Sequence, residues 1–167
     1  IYNQRDNEIN IAATLIKNRN PENLLMLRIN NKEILDTIHE KYPDLVITKI
    51  YSDKEQVIIQ GQDEEAFKNI KKGVISKSTQ VVLTTSIMDC GISLEVNRDV
   101  DCYAISYGTV INPIDAVQLS ARVRSNSEFK MSLSIIGHFD DYSTVTFPIN
   151  QVKGKQRFEL MATEYEM

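Results

Sequence analysis

Runs of contiguous apolar residues recur along this chain: "NLLMLRI" at 23–29, "LVITKIY" at 45–51, "QVVLTTSI" at 80–87, "VDCYAISYG" at 100–108 and "MSLSIIGHF" at 131–139. A strand that is apolar at successive positions, rather than at every second one, has no face to offer to water and must be covered on both sides. Such strands alternating with helices imply an α/β fold, with a mainly parallel sheet between two helical layers. In sheets of this kind ligands bind outside the carboxyl ends of the strands. The loops after Ile29, Tyr51, Ser86 and Tyr107 are therefore where function is expected.

The intervening segments have helical spacing. Residues 8–18 carry Ile9, Ile11, Ala12, Leu15 and Ile16 and stop at Asn20 and Pro21; "NKEILDTIHEKY" carries Ile34, Leu35 and Ile38 and is closed by Pro43. After a polar link, "DEEAFKNIKKGVI" opens with acids and finishes with lysines and Gly73, the charge order that suits a helix. "NPIDAVQLSARVRS" has Asn112 as its expected N-cap and Pro113 in the first helical position. "STVTFPI" and "KQRFELMATEYEM" read as one more strand and a terminal helix within 143–167.

With 167 residues, 42% of them hydrophobic, the chain can bury the core of one domain, read here as 1–167. No stretch approaches the ~20 apolar residues of a membrane helix, so no membrane partner is expected. Cys90 and Cys102 lie in apolar runs without ligand spacing, which points away from a disulfide framework or zinc site and toward a reducing, cytoplasmic setting. A start at Ile1, without a signal-peptide pattern, reads as a piece of a longer protein. The net charge of −4 argues against wrapping nucleic acid by bulk charge, though a few local contacts to phosphate stay open.

Two constellations carry chemistry. "VVLTTSIMDCGISLE" leaves a buried strand through Thr84 and Thr85, which can offer hydroxyl and backbone donors to a phosphate, and Gly91 lets the chain pass close to a ligand. The plainer reading is a strand and a turn, with threonine there for β propensity. On the following helix Gln118 and Arg122 share a face, while Arg124 lies about 160° round from Arg122. Either the helix ends after Arg122 or the two arginines serve different ligands. The plainer reading pairs both with acids such as Asp89, Asp115 or Glu128.

The order of these pieces, a strand ending in Thr84-Thr85, Gly91 six residues after Thr85, another strand, Pro113 and "QLSARVR", resembles motifs V and VI of superfamily 2 helicases. These motifs belong to the second RecA-like domain of the motor. The family's motif VI reads QxxGRxGR; here Gln118, Arg122 and Arg124 stand in that order, with Ala121 for the glycine and one residue fewer between the arginines. That shortened form is similar to replication helicases of the viral or plasmid origin-binding type. Upstream, "LLMLRINNKEILDTI" is similar to motif IV, so that the resemblance covers about residues 20–140.

The resemblance implies a RecA-like three-layer sandwich acting in an ATP-dependent helicase or translocase. Arg122 or Arg124 would be the arginine finger toward the γ-phosphate of an ATP, with its Mg²⁺, held by the N-terminal RecA-like domain of the same protein, and Gln118 would position water or the arginines. Gly91 and Ser93, with Asp89, would lie beside the nucleotide. Thr84, Thr85, Arg28, Asn30 and Ser52 would grip the backbone of single-stranded nucleic acid, DNA in preference to RNA, without reading bases. The guanidinium pair is expected at the rim of the sheet, facing outward.

The chain contains no GxxxxGK[ST] loop and no DExx quartet after an apolar strand, so it is expected to be inactive as an ATPase on its own. His39 reads as a solvated residue near a helix end, and His138 with Asp140 and Asp141 as a solvent-facing loop rather than a metal site. Tyr103 and Tyr107 read as packing residues, Tyr107 being placed where it could stack on a base. The competing reading is a non-catalytic α/β binding or scaffold domain, in which both arginines are paired and dispensable.

Overall fold

The computed structural model describes residues 4–54, 56–61, 73–87, 93–106, 113–125, 128–137, 145–152 and 155–158. Helix α1 (Gln4–Lys17) leads into strand β1 (Leu24–Ile29), then helix α2 (Lys32–Lys41) and strand β2 (Ile47–Asp53). Strands β3 (Gln56–Gly61), β4 (Val81–Thr84), β5 (Leu94–Val96) and β6 (Val100–Ser106) precede helix α3 (Pro113–Arg122). Strands β7 (Val123–Ser125), β8 (Met131–Gly137), β9 (Val145–Val152) and β10 (Lys155–Phe158) follow.

Eight strands form one sheet in the order β10-β9-β8-β6-β1-β4-β2-β3. The inner strands β8, β6, β1, β4 and β2 are mutually parallel. Antiparallel strands extend both ends, β3 beside β2 and β9 then β10 beside β8. Leu25, Leu27, Ile29, Val81, Leu83 and Ile47 pack with Ala12 and Ile16 of α1 and Ile34, Leu35 and Ile38 of α2. Leu24, Met26, Val82, Cys102, Ala104, Leu133 and Ile135 pack with Leu119 of α3, Leu94 and Val96 of β5, and Val123 of β7. Both faces are covered, which is the reason the central strands are apolar in succession. The chain is thus an α/β protein with a mostly parallel sheet flanked by helices. No described helix is long and apolar enough to cross a membrane.

Local signals explain several boundaries. Asn31 caps α2, its Oδ1 accepting from the amides of Glu33 and Ile34, and Pro113 opens α3. Gly73 has φ +78 and lies so near the Ser93 carbonyl that a Cβ would sit 3.2 Å from it. The rest of the expected helix at 63–75 falls outside the described residues. The segment after β2, expected as a polar link, is instead β3, turned back through Lys54 in a left-handed conformation at φ 46. Residues 155–158, expected to begin a terminal helix, pair antiparallel with β9. The hairpin ladder overrides the helical composition there. Strands β5 and β7, three residues each, pair parallel over the α3 side of the sheet; runs that short carry no period to detect.

At the amino edge of the sheet Arg98 ties two loops together. Its guanidinium donates to the carbonyls of Lys77 (3.1 Å), Ser76 (3.3 Å) and Thr79, and burial lowers its pKa. Arg98→Ala leaves three carbonyls without these bonds and is expected to cost about 1.5–3 kcal/mol, the range for hydrogen bonds to a charged group. Arg98→Lys should restore only part, since an ammonium cannot span the fork. Urea unfolding measures both, and a loss below about 0.5 kcal/mol for Arg98→Ala, the scale of an ordinary surface change, would remove the clamp from the account.

Candidate functional site

The site follows from where the apolar rungs of the sheet stop. In β1, Leu24 and Met26 face α3, and side chains alternate, so Arg28 continues that row. The register sets Arg28 beside Thr84 on one flank and Ala104 on the other, with Ile50 beyond Thr84. Ile50, Thr84, Arg28 and Ala104 thus form one rung across four neighbouring strands. The next positions outward on the same face are Ser52, Ser86, Asn30 and Ser106. Each is polar, whereas Met26, Val82, Leu24 and Val100 lie deeper on the same face. The two central members touch: Ser86 Oγ lies 3.0 Å from Asn30 Oδ1 and donates to it.

Burial differs along this row. Arg28 is 6% exposed and Ser106 also 6%, while Asn30 and Ser52 are open to solvent. Thr84 is fully buried, and its hydroxyl donates to the Thr85 carbonyl at 3.2 Å. The Thr85 amide donates to the Ile50 carbonyl at 3.2 Å, carrying the β2 to β4 ladder one residue past the strand. Lys32, in the first turn of α2, stands 4.8 Å from the centroid of the Tyr51 ring and 3.7 Å from Asp53. The rim thus gathers a buried guanidinium, an ammonium shared with Asp53, the Ser52 and Ser106 hydroxyls and the Asn30 carboxamide, the Thr84 hydroxyl and Thr85 amide being spent on backbone carbonyls. This donor set suits an anion with several oxygens. The α2 amides are already engaged by Asn31, so the helix terminus is no part of it.

Connectivity marks the same place. The chain leaves β1 toward α2, on one face, and leaves β6 toward α3, on the other. Adjacent strands whose connections depart to opposite faces open a crevice between their carboxyl ends. Arg28 to Asn30 and Ala104 to Ser106 are the two lips of that crevice.

Of the residues singled out from the sequence, Arg28, Asn30, Thr84, Thr85 and Ser52 converge on this edge. Ser86, Ser106 and Lys32 join them without having been expected; a single serine two places beyond an apolar rung is a faint signal, readable only once the register is known. No protein-family model and no curated protein matches the chain.

Gln118 and Arg122 stand elsewhere. Helix α3 begins beyond the carboxyl end of β6 and carries the chain back toward the amino end of β8, with Arg122 as its last residue. The expectation that the arginines share the rim of the threonine loop is therefore corrected: the crossover sets Arg122 a helix length away. The helix does end after Arg122, and Arg124 lies in β7, in register with Glu95 of β5. Gln118 is exposed and Arg122 half-buried, while Leu119 and Val123 between them are buried and anchor the turn. Among the described residues neither Asp115 nor Glu128 forms an ion pair with Arg122. Ser93 is half-buried just ahead of β5, whose Glu95 amide donates to Gly73 and whose carbonyl accepts from Ile75. Asp89, Gly91, Tyr107 and His138 lie outside the described residues. Among those that are described, no group of three His, Cys, Asp or Glu side chains could hold a metal ion.

Proposed function

We propose that this chain is the second RecA-like domain of a superfamily 2 helicase or translocase, gripping a single nucleic-acid strand at the carboxyl edge and offering arginines to an ATP held by another domain. The observation that carries the reading is the group of polar residues Ser52, Ser86, Asn30 and Ser106 at or just past the carboxyl ends of four adjacent strands, beyond the Arg28 and Thr84 rung, with Ser86 hydrogen-bonded to Asn30. Hydroxyl, amide and guanidinium donors in a line favour phosphate oxygens over base edges, so the grip would be independent of sequence. The placement of Arg122 away from that row runs against a shared rim, so the motor reading rests on the row, and the arginines would need a nucleotide brought to the far end of α3. One edge holds the strand, and the end of α3 reaches the neighbouring domain's nucleotide. ATP and Mg²⁺ would be held largely by that neighbour, since this chain has no phosphate-cradling loop.

The test uses a protein in which this domain is joined to an ATP-holding one. Asn30→Asp sets a carboxylate in the row at an exposed position, and should weaken binding of single-stranded DNA about tenfold for every base composition tried, as loss of a charge-assisted contact does. Equal affinity of the variant and the parent, or a preference that follows base identity, would argue for the binding-domain reading instead. The isolated chain should hydrolyse no ATP above background.

A further inference from the structure

We propose that β3 is a self-pairing edge, and that a second copy of this chain adds its own β3 antiparallel to it, joining two sheets about a two-fold axis. β3 is terminal in the strand order, and among the described residues no strand pairs with its outer side. A free edge is a template for another chain, and proteins usually blunt it with charge or proline. The opposite terminal strand, β10, carries Lys155 and Arg157, whereas Gln56-Val57-Ile58-Ile59-Gln60 has neither charge nor proline.

That segment has the same polar and apolar order in both directions. Centred on Ile58, an antiparallel copy sets Ile58 against itself, Val57 against Ile59 and Gln56 against Gln60. The two-fold then brings like to like without opposed charges, as an isologous interface requires. Burial agrees. Ile58 and Ile59 are only half-buried, with Ile58 in register with Tyr51 and Ile59 packed at the border of the α3-side core. A second strand would cover both, and the exposed Gln56 and Gln60 could bond across the pair.

Sedimentation velocity of the full chain over a range of concentrations should show a monomer–dimer equilibrium. Gln56→Lys with Gln60→Lys puts like charges opposite each other twice and should weaken the dimer about tenfold or more; Gln56→Glu with Gln60→Glu should do the same. Mixing the two doubly substituted chains pairs lysine with glutamate at both positions, and should restore a heterodimer. Both changes fall on exposed side chains, and circular dichroism confirms that the fold is kept. A chain that stays monomeric at the highest concentration, or a dimer indifferent to the lysines, or a mixture that fails to pair, overturns the proposal.

Discussion

Arg122→Ala, in a protein joining this domain to an ATP-holding one, is expected to lower nucleic-acid-stimulated ATP turnover about 10³- to 10⁵-fold, the range for losing an arginine finger. In barrier terms that is about 4–7 kcal/mol. The expectation rests on how the guanidinium is carried. Leu119 and Val123 are fully buried on either side of Arg122, so the backbone at the end of α3 is anchored beside a half-buried arginine. A finger must arrive preorganised, because donors that have to be rearranged at the moment of reaction contribute less. Arg122 ends the helix while Arg124 belongs to β7, so the two positions sit on different elements and are not equivalent. The loss should fall on kcat, with binding of single-stranded DNA nearly unchanged, since the carboxyl-edge row is a helix length away. Unchanged turnover in the variant would remove the motor reading, and an equal loss of strand affinity would merge the two sites kept apart here.

Why some of this was legible in the residues and some was not has a physical basis. β1 and β4 are visible because two-sided burial makes them nearly apolar in succession, while β6 and β8 alternate apolar and half-buried positions over a β-branched and aliphatic run of strand length. β3 was hidden because the chain turns back at a charged residue, Lys54, rather than through the Asn-Gly or Asp-Gly that marks most tight hairpins. The helical composition after Lys155 misled for a different cause: cross-strand pairing with β9 decides the backbone there, and propensity is the weaker force. At the candidate site, Thr84 and Thr85 were singled out from a strand end, and Arg28 and Asn30 through the likeness of their segment to motif IV. Their companions Ser86 and Ser106 were not, since only the order and pairing of the strands they follow or end bring them to the same edge. The location of Arg122 needed the crossover, because helical spacing fixes which face a residue occupies and says nothing of which end of the sheet it reaches.

On the other face of the sheet, Asp36→Ala is expected to destabilise the domain by about 2–3 kcal/mol, and Lys49→Met by less than about 1 kcal/mol, although they break the same ion pair. Lys49 Nζ lies 2.6 Å from Asp36 Oδ1, joining β2 to α2, but the partners are unequally buried, at 9% and 41% side-chain exposure. Removing the aspartate strands an ammonium inside the fold. Removing the lysine leaves a carboxylate that already reaches water, and methionine keeps the stem's volume against α2. A fully enclosed pair would cost about 3–5 kcal/mol when one partner is lost, and the exposure of Asp36 lowers that figure. His39, three residues along α2, reports on the same charges. Its pKa is lowered from 6.5 by burial first and then by Lys49, while Asp36 and Glu40 raise it. The unfolded chain therefore binds the proton more readily, so this contribution to stability is present above pH 6.5 and is lost as the pH falls from there through the folded value. Asp36→Ala removes a raising charge and should push the His39 titration further down, whereas Lys49→Met should move it back up. Urea unfolding across this pH range and a proton NMR titration of His39 in the three proteins measure both effects. Equal costs for the two substitutions, or a His39 titration that is the same in all three, would show that the pair is governed by solvent rather than by the interior of the fold.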